Sequence, residues 1–204
     1  MNVLVVSANL LGDPFLLNAK GFILDRLQSL GHSVTESDLD SQQFDPYITI
    51  EEYDVEEKDN LYEAQCQAYP DKYSPDVTNE MRKLKQADIV IVIAKLVKTL
   101  PPTILQGWLQ RVFPVKFAVF SEDKNLDGKK FLFVSGEQSQ CNFEYIKIFI
   151  LHNFGGVNFY VLEPILFYEF QELVKKVENF GDFENWPKMS QVLRTDLRRR
   201  SLVS

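Results

Sequence analysis

The sequence predicts an α/β protein built on a doubly wound, five-stranded parallel sheet with helices on both faces. Two observations carry this prediction. Asn2–Ala8 and residues 88–94 read NVLVVSA and DIVIVIA, and such continuous apolar runs are typical of parallel strands covered on both faces. Between the predicted strands, apolar residues recur at helical spacing, and parallel strands that alternate with helices form crossover units.

The first such unit occupies residues 2–39. Asp13 and Pro14 supply a helix N-cap and a first-turn proline, and Leu16, Ala19, Ile23, Leu27 and Leu30 follow at helical spacing. Gly31 ends the helix, as glycine does after many helices. Residues 33–39 alternate in polarity and are predicted as a strand near a sheet edge.

The remaining elements are assigned in the same way. Residues 41–75 show no sustained period, and we interpret them as a long excursion of the functional or interfacial kind. Predicted after it are helices at 76–86, 102–113, 143–153 and 167–180 and strands at 88–94, 130–135 and 158–162. Five strands favour the flavodoxin-like order 2-1-3-4-5. We expect this domain to span residues 1–180, with a helical tail at 181–204.

Composition restricts the function. The chain has 204 residues, 22 Lys+Arg and 29 Asp+Glu, which gives a net charge of −7; this acidic balance disfavours a nucleic-acid-binding body. Two cysteines and two histidines support neither a disulfide framework nor a structural zinc site, so no metal ligands are assigned. Without a recognisable leader or an apolar run of membrane-spanning length, we expect a cytoplasmic protein with no membrane partner.

Ligands of this fold bind outside the carboxyl ends of the strands, where three loops meet. The first loop is read at residues 7–13 (SANLLGD), where Ser7, Asn9 and Gly12 are candidate phosphate donors. Asp13 would repel a phosphate there, and the favoured interpretation is that it caps the following helix itself.

The other two loops offer little chemistry. Lys95 and Lys98 could hold an anion, but solvated lysines are the favoured interpretation. Cys141 in the third loop is interpreted as an ordinary cysteine rather than a catalytic one, because no activating histidine lies nearby in the sequence. His32 and His152 lie at helix ends, where structural roles are favoured. The residues therefore present no independent catalytic constellation.

Several motifs resemble those of the NAD(P)H:quinone oxidoreductases, flavodoxin-like FAD enzymes that reduce quinones as homodimers. The block at residues 102–113 (PTILQGWLQRVF) is similar to the family's P-A-I-L-K-G-W-x-x-R-V-F. Residues 36–39 (ESDL), residues 44–46 (FDP) and residues 161–164 (VLEP) also match family blocks. The resemblance covers residues 2 to about 168 and implies the fold, FAD and a homodimer.

The departures from the family pattern fall on the three loops. Ala8 replaces the family's histidine, and residues 95–99 (KLVKT) replace its flavin-covering P-L-x-W-F. Residues 135–138 (SGEQ) replace its T-T-G-G, and the tyrosine and histidine that follow there have no counterpart. The resemblance leaves Phe15, Leu96 and Gly136 as flavin contacts if a flavin is retained, and it leaves no catalytic residue.

We therefore expect a catalytically inactive relative that has lost FAD and acts as a protein-interaction or assembly subunit, as a homodimer or within a larger assembly. The alternative is an active flavin-dependent NAD(P)H:quinone oxidoreductase with altered cofactor loops. The arginines of the C-terminal tail, Arg194 and Arg198 to Arg200, are interpreted as solvated or as a tether to an acidic partner or RNA.

Overall fold

The computed structural model describes residues 1–8, 10, 12–48, 73–96, 100–114, 117, 126–136 and 160–188. Its elements are β1 (Asn2–Ala8), α1 (Pro14–Ser29), β2 (Ser33–Asp38), α2 (Pro75–Gln86), β3 (Ile89–Ala94), α3 (Thr103–Val112), β4 (Lys130–Gly136), β5 (Tyr160–Val161), β6 (Ile165–Phe167), α4 (Phe170–Val177) and a 3-10 helix at Glu178–Gly181. The predicted helix at 143–153, Lys98, Cys66, Cys141, His152 and the arginines of the tail lie outside the described residues.

The described strands form one parallel sheet in the order β2-β1-β3-β4-β5, with β6 also paired to β4. This arrangement confirms the predicted α/β class and the flavodoxin-like path through the sheet. The central strand β3 is buried along its whole length, as expected for a strand covered on both faces.

The predicted count of five strands is too low, because the last strand is interrupted. Tyr160 pairs with Lys130 while Ile165 pairs with Val134, so five steps along one strand face four along the other. One extra residue therefore separates β5 from β6 along the same edge of β4. Pro164 lies directly before β6, and proline cannot donate a ladder hydrogen bond.

The predicted helix at 167–180 is also wrong at its start. Phe167 belongs to β6, and α4 begins only at Phe170. The carboxylate of Glu172 accepts hydrogen bonds from the backbone N–H of Tyr168 at 2.8 Å and of Glu169 at 3.4 Å. These bonds satisfy N–H groups at the helix start and fix where the helix begins.

The sheet separates two apolar clusters. On one face α1 and α4 pack against the sheet, and the predicted inward residues Leu16, Ala19, Ile23 and Leu27 are fully buried there. The other face is covered by α2 and α3, with Trp108 fully buried. The C-terminal segment adds the buried Phe180 and Phe183 to the α1 side.

Helix α3 is tied to its surroundings by a set of contacts that we call the α3 clamp, made by Gly107, Arg111, Pro46, Asp45 and Asp76. A Cβ atom on Gly107 would lie 2.3 Å from the backbone of Pro46, so only glycine permits this approach. The guanidinium of Arg111 donates to the carbonyl of Asp45 at 2.6 Å and to the carboxylate of Asp76 at 2.9 Å. The clamp therefore binds α3 to residues near both ends of the long segment at 41–75.

Candidate functional site

The candidate site is the carboxyl edge of the sheet at the point where the strand order reverses. Strand β1 lies between β2 and β3, and its last residue, Ala8, pairs with Ala94 at the end of β3. In such sheets ligands bind in the crevice outside the strand ends. We call this region the switch-point edge and define it by Asp13, Phe15, Lys95, Leu96 and Gly136.

Asp13 caps helix α1, as predicted. Its Oδ1 atom accepts hydrogen bonds from the backbone N–H of Phe15 at 3.1 Å and of Leu16 at 3.2 Å. The backbone of Asp13 is extended, which is the usual conformation of an N-cap residue. The carboxylate thus uses N–H groups that the helix start would otherwise present to an anion.

Asp13 also binds Lys95 across the gap between the first two loops. The Nζ atom of Lys95 lies 2.9 Å from Oδ2 of Asp13, and the two side chains are 32% and 12% exposed. The prediction of a solvated Lys95 is therefore wrong. Lys95 follows β3 directly, and β3 is the neighbour of β1, so the strand order was the signal that could have indicated this pair.

The surroundings of Asp13 favour its ionised form. Burial alone would raise its pKa, but the hydrogen bond from Lys95, the N–H groups of Leu16 and Phe15 and the lysine charge together lower the pKa below its ordinary value. A carboxylate at this position is therefore negatively charged at neutral pH.

Phe15 and Gly136 are brought together at the α1 side of this edge. The Phe15 ring lies 5.2 Å from that of Phe167 and 6.5 Å from that of Phe170, measured between centroids. A Cβ atom on Gly136 would lie 3.3 Å from the Phe15 ring and from the side chain of Leu16. Phe15 is therefore part of the packing between α1, β4 and β6.

Leu96 lies apart from that pair. It packs against the cluster on the α2 and α3 face, whereas Phe15 packs against the cluster on the α1 and α4 face. The assignment of Phe15, Leu96 and Gly136 as flavin contacts stays a prediction.

Near this edge, the structure gives two polar side chains, Lys20 and Ser7, surroundings that the sequence did not predict. Lys20 on α1 binds Asp38 at 2.7 Å and Glu36 at 3.3 Å. Burial would lower the pKa of Lys20, but the two carboxylates outweigh it and raise that pKa. The hydroxyl of Ser7, a candidate phosphate donor, is buried and has no hydrogen-bond partner among the described residues.

No group of three His, Cys, Asp or Glu residues is arranged to hold a metal ion within the described ranges. No helix described in the structure has both the length and the apolar character needed to cross a bilayer.

Comparisons with known proteins agree with this fold. Residues 1–168 match a family model described as the flavodoxin-like fold. Over 120 residues the chain is 34% identical to NAD(P)H dehydrogenase (quinone) 1 of Rattus norvegicus, a match that covers 56% of this chain and 44% of the rat protein. The chain thus spans less than half of the length of this relative.

Two solved structures share the fold over most of the chain. A Klebsiella pneumoniae protein assigned as a quinone reductase has a TM-score of 0.76 at 21% identity, covering 92% of this chain and 86% of its own. The NAD(P)H:quinone oxidoreductase of Methanothermobacter marburgensis has a TM-score of 0.66 at 18% identity, covering 91% and 99%. These two structures share the fold, and the match over residues 1–168 shows that this chain belongs to the family described as the flavodoxin-like fold.

Proposed function

We propose that this chain is a member of the family that binds no flavin nucleotide at the switch-point edge and acts instead as a protein-interaction or assembly subunit. The observation that carries the proposal is the Asp13–Lys95 pair. Flavin nucleotides carry phosphate, and a phosphate at a helix start needs unoccupied N–H groups and a positive field. Here Asp13 occupies two of those N–H groups and pairs with the adjacent lysine.

Electrostatics supports the same proposal. Because its pKa is lowered, Asp13 places a negative charge where the phosphate would lie. Two like unit charges about 4 Å apart repel by about 4 kcal/mol at an effective dielectric constant of about 20. The described residues at α1 therefore do not fit a flavin phosphate, and no reaction step is assigned to such a group.

The rest of the fold supports a role through surfaces. The α3 clamp and both apolar clusters are intact, and Trp108 donates to the buried carboxylate of Glu80 at 3.0 Å. A stable sheet with a remodelled ligand edge can still present surfaces to a partner, and homodimers are the commonest assembly of soluble proteins. The partner we propose is therefore a second copy or another subunit of an assembly.

The test begins with the purified full chain. We expect a colourless preparation, no rise in melting temperature with FAD or FMN, and no NAD(P)H oxidation with a quinone acceptor. Bound flavin together with turnover would overturn the proposal. That result would establish the alternative, an active flavin-dependent NAD(P)H:quinone oxidoreductase with altered loops and with Phe15, Leu96 and Gly136 as candidate flavin contacts.

The interaction role has its own measurement. Light scattering of the full chain is expected to give the mass of a dimer or a larger assembly, whereas a monomer that forms no complex in its source contradicts this role. A chain truncated before Arg198 tests whether the basic tail takes part. Loss of complex formation after that truncation would support a tether to an acidic partner, and unchanged assembly would contradict it.

A further inference from the structure

We propose that Asp13 is the specificity-determining residue of the switch-point edge: its carboxylate stands in for the phosphate of a nucleotide ligand, and this one side chain keeps phosphate-bearing ligands out. The inference rests on the proposed function, because it assigns the proposed loss of flavin binding to one residue of the chain. It also names the excluded class, which is ligands with a phosphate group: phosphomonoesters such as FMN, diphosphates such as FAD, and inorganic phosphate.

The geometry of Asp13 is that of a bound anion. One carboxylate oxygen accepts from two successive N–H groups at the start of α1, at 3.1 and 3.2 Å, and the other accepts from Lys95 at 2.9 Å. Amide N–H groups, a helix dipole and a cation are the usual partners of a phosphate at a helix start. In this chain the N–H groups, the helix dipole and the Lys95 cation all act on the carboxylate of Asp13, a residue of the loop itself.

An internal carboxylate has an advantage over a dissolved anion. A free ligand must lose translational and rotational freedom when it binds, whereas Asp13 is held in place by the chain. Its side chain is only 12% exposed, so water screens its charge poorly. A phosphate would have to displace Asp13 or approach it against like-charge repulsion.

Lys95 has a different part in this arrangement. It lies in the second loop, 82 residues from Asp13 in the sequence, and binds the outer oxygen of the carboxylate. With a neutral capping residue in place of Asp13, the charge of Lys95 is no longer balanced by this carboxylate, which now lies 2.9 Å from its Nζ atom. Any anion binding gained by removing Asp13 should therefore depend on Lys95.

The experiment measures binding of inorganic phosphate and of FMN by calorimetry for the wild type, Asp13→Ser, Asp13→Asn and the double variant Asp13→Ser/Lys95→Met. Serine and asparagine are good N-cap residues, so helix α1 should persist. Asp13→Asn serves as a second test if the serine variant does not fold. The matched control is Asp38→Asn, which removes another lysine-paired carboxylate, the one bound to Lys20, without altering the cap at the start of α1.

We expect Asp13→Ser to bind at least one of the two probes about tenfold more tightly than the wild type, a factor equal to about 1.4 kcal/mol. The double variant should lose most of this gain, and Asp38→Asn should show none. An unchanged Kd in both Asp13 variants overturns the inference, and so does a gain that survives Lys95→Met. Flavin binding by the wild type would instead overturn the proposed function.

Discussion

The α3 clamp and the switch-point edge both join distant segments through a cation and a carboxylate, but they differ in burial. In the clamp, the Arg111 side chain is 4% exposed and reaches Asp76, the carbonyl of Asp45 and the hydroxyl of Ser74. At the switch-point edge, Lys95 is 32% exposed. In the clamp, Gly107, Arg111 and Pro46 match family blocks, whereas at the edge Lys95 departs from the family pattern.

This difference has an energetic reason. Asp76 is 40% exposed and Asp13 is 12% exposed, so the two pairs differ in the burial of their cations. Removing the nearly buried Arg111 leaves acceptors without a donor, at about 1–3 kcal/mol for a buried group, whereas a pair whose cation reaches water contributes about 0–1 kcal/mol. Substitutions in the clamp therefore threaten folding, while the edge can change residues at small cost. Residues at the switch-point edge can therefore be replaced with little loss of stability, because the fold depends less on the Asp13–Lys95 pair than on the clamp.

Arg111→Met is expected to have the largest effect. Removing the guanidinium leaves the Asp45 carbonyl, the Ser74 hydroxyl and the 40% exposed Asp76 carboxylate without this donor, so the free energy of unfolding should fall by about 3 kcal/mol. Urea unfolding measures it. The control is Arg82→Met on the neighbouring helix, where the arginine is exposed and binds Asn79. Equal losses of stability in both variants would contradict the conclusion that Arg111 contributes more to stability than an exposed arginine does.

Gly107→Ala tests the clamp from its backbone side. The new methyl group would meet Pro46, so we expect a loss of about 1–3 kcal/mol from overpacking. Gly21→Ala is the matched control on α1, because nothing lies within 4 Å of a Cβ atom there. The control should be stabilised by about 0.5–1 kcal/mol, since alanine favours helix over glycine. Opposite signs in thermal unfolding would support the comparison, and a stable Gly107→Ala protein would break it.

At the switch-point edge, Asp13→Ala should cost about 1 kcal/mol through loss of the N-cap. Asp13→Asn should cost less, because asparagine keeps a capping oxygen while losing the ion pair with Lys95. Chemical denaturation of both variants measures this order. If the asparagine variant loses nearly as much stability as the alanine variant, the ion pair contributes more than the cap, and the edge resembles the clamp more than we infer.

The smallest expected effect is the pH dependence of Asp13. Its pKa is lowered on folding, so the stabilisation by its charge is present above the unfolded pKa of about 3.9 and is lost as pH falls through the folded value. The stability difference between wild type and Asp13→Asn should therefore shrink from pH 6 towards pH 3. A difference that stays constant over this range in urea titrations would contradict this account.

Local patterns were sufficient to predict most elements. The cap at Asp13, the stop at Gly31 and the buried run of β3 were readable because each depends on residues next to one another. The start of α4 was misplaced, since Ile165–Phe167 is apolar at a spacing that fits a strand or a helix equally. The pairing of Ile165–Phe167 with β4 makes this segment a strand. A short stretch of sequence does not show that pairing.

The sequence by itself thus determined the α/β class, the order of the elements from β1 to β4 and the α1 cap. Only the tertiary structure decided which partners the edge residues have. Asp13 meets Lys95, and Phe15 meets Phe167 and Gly136, because β1, β3 and β4 are neighbours in the sheet. Helix caps and periodicity act over a few residues, whereas these contacts depend on the register of strands far apart in the chain.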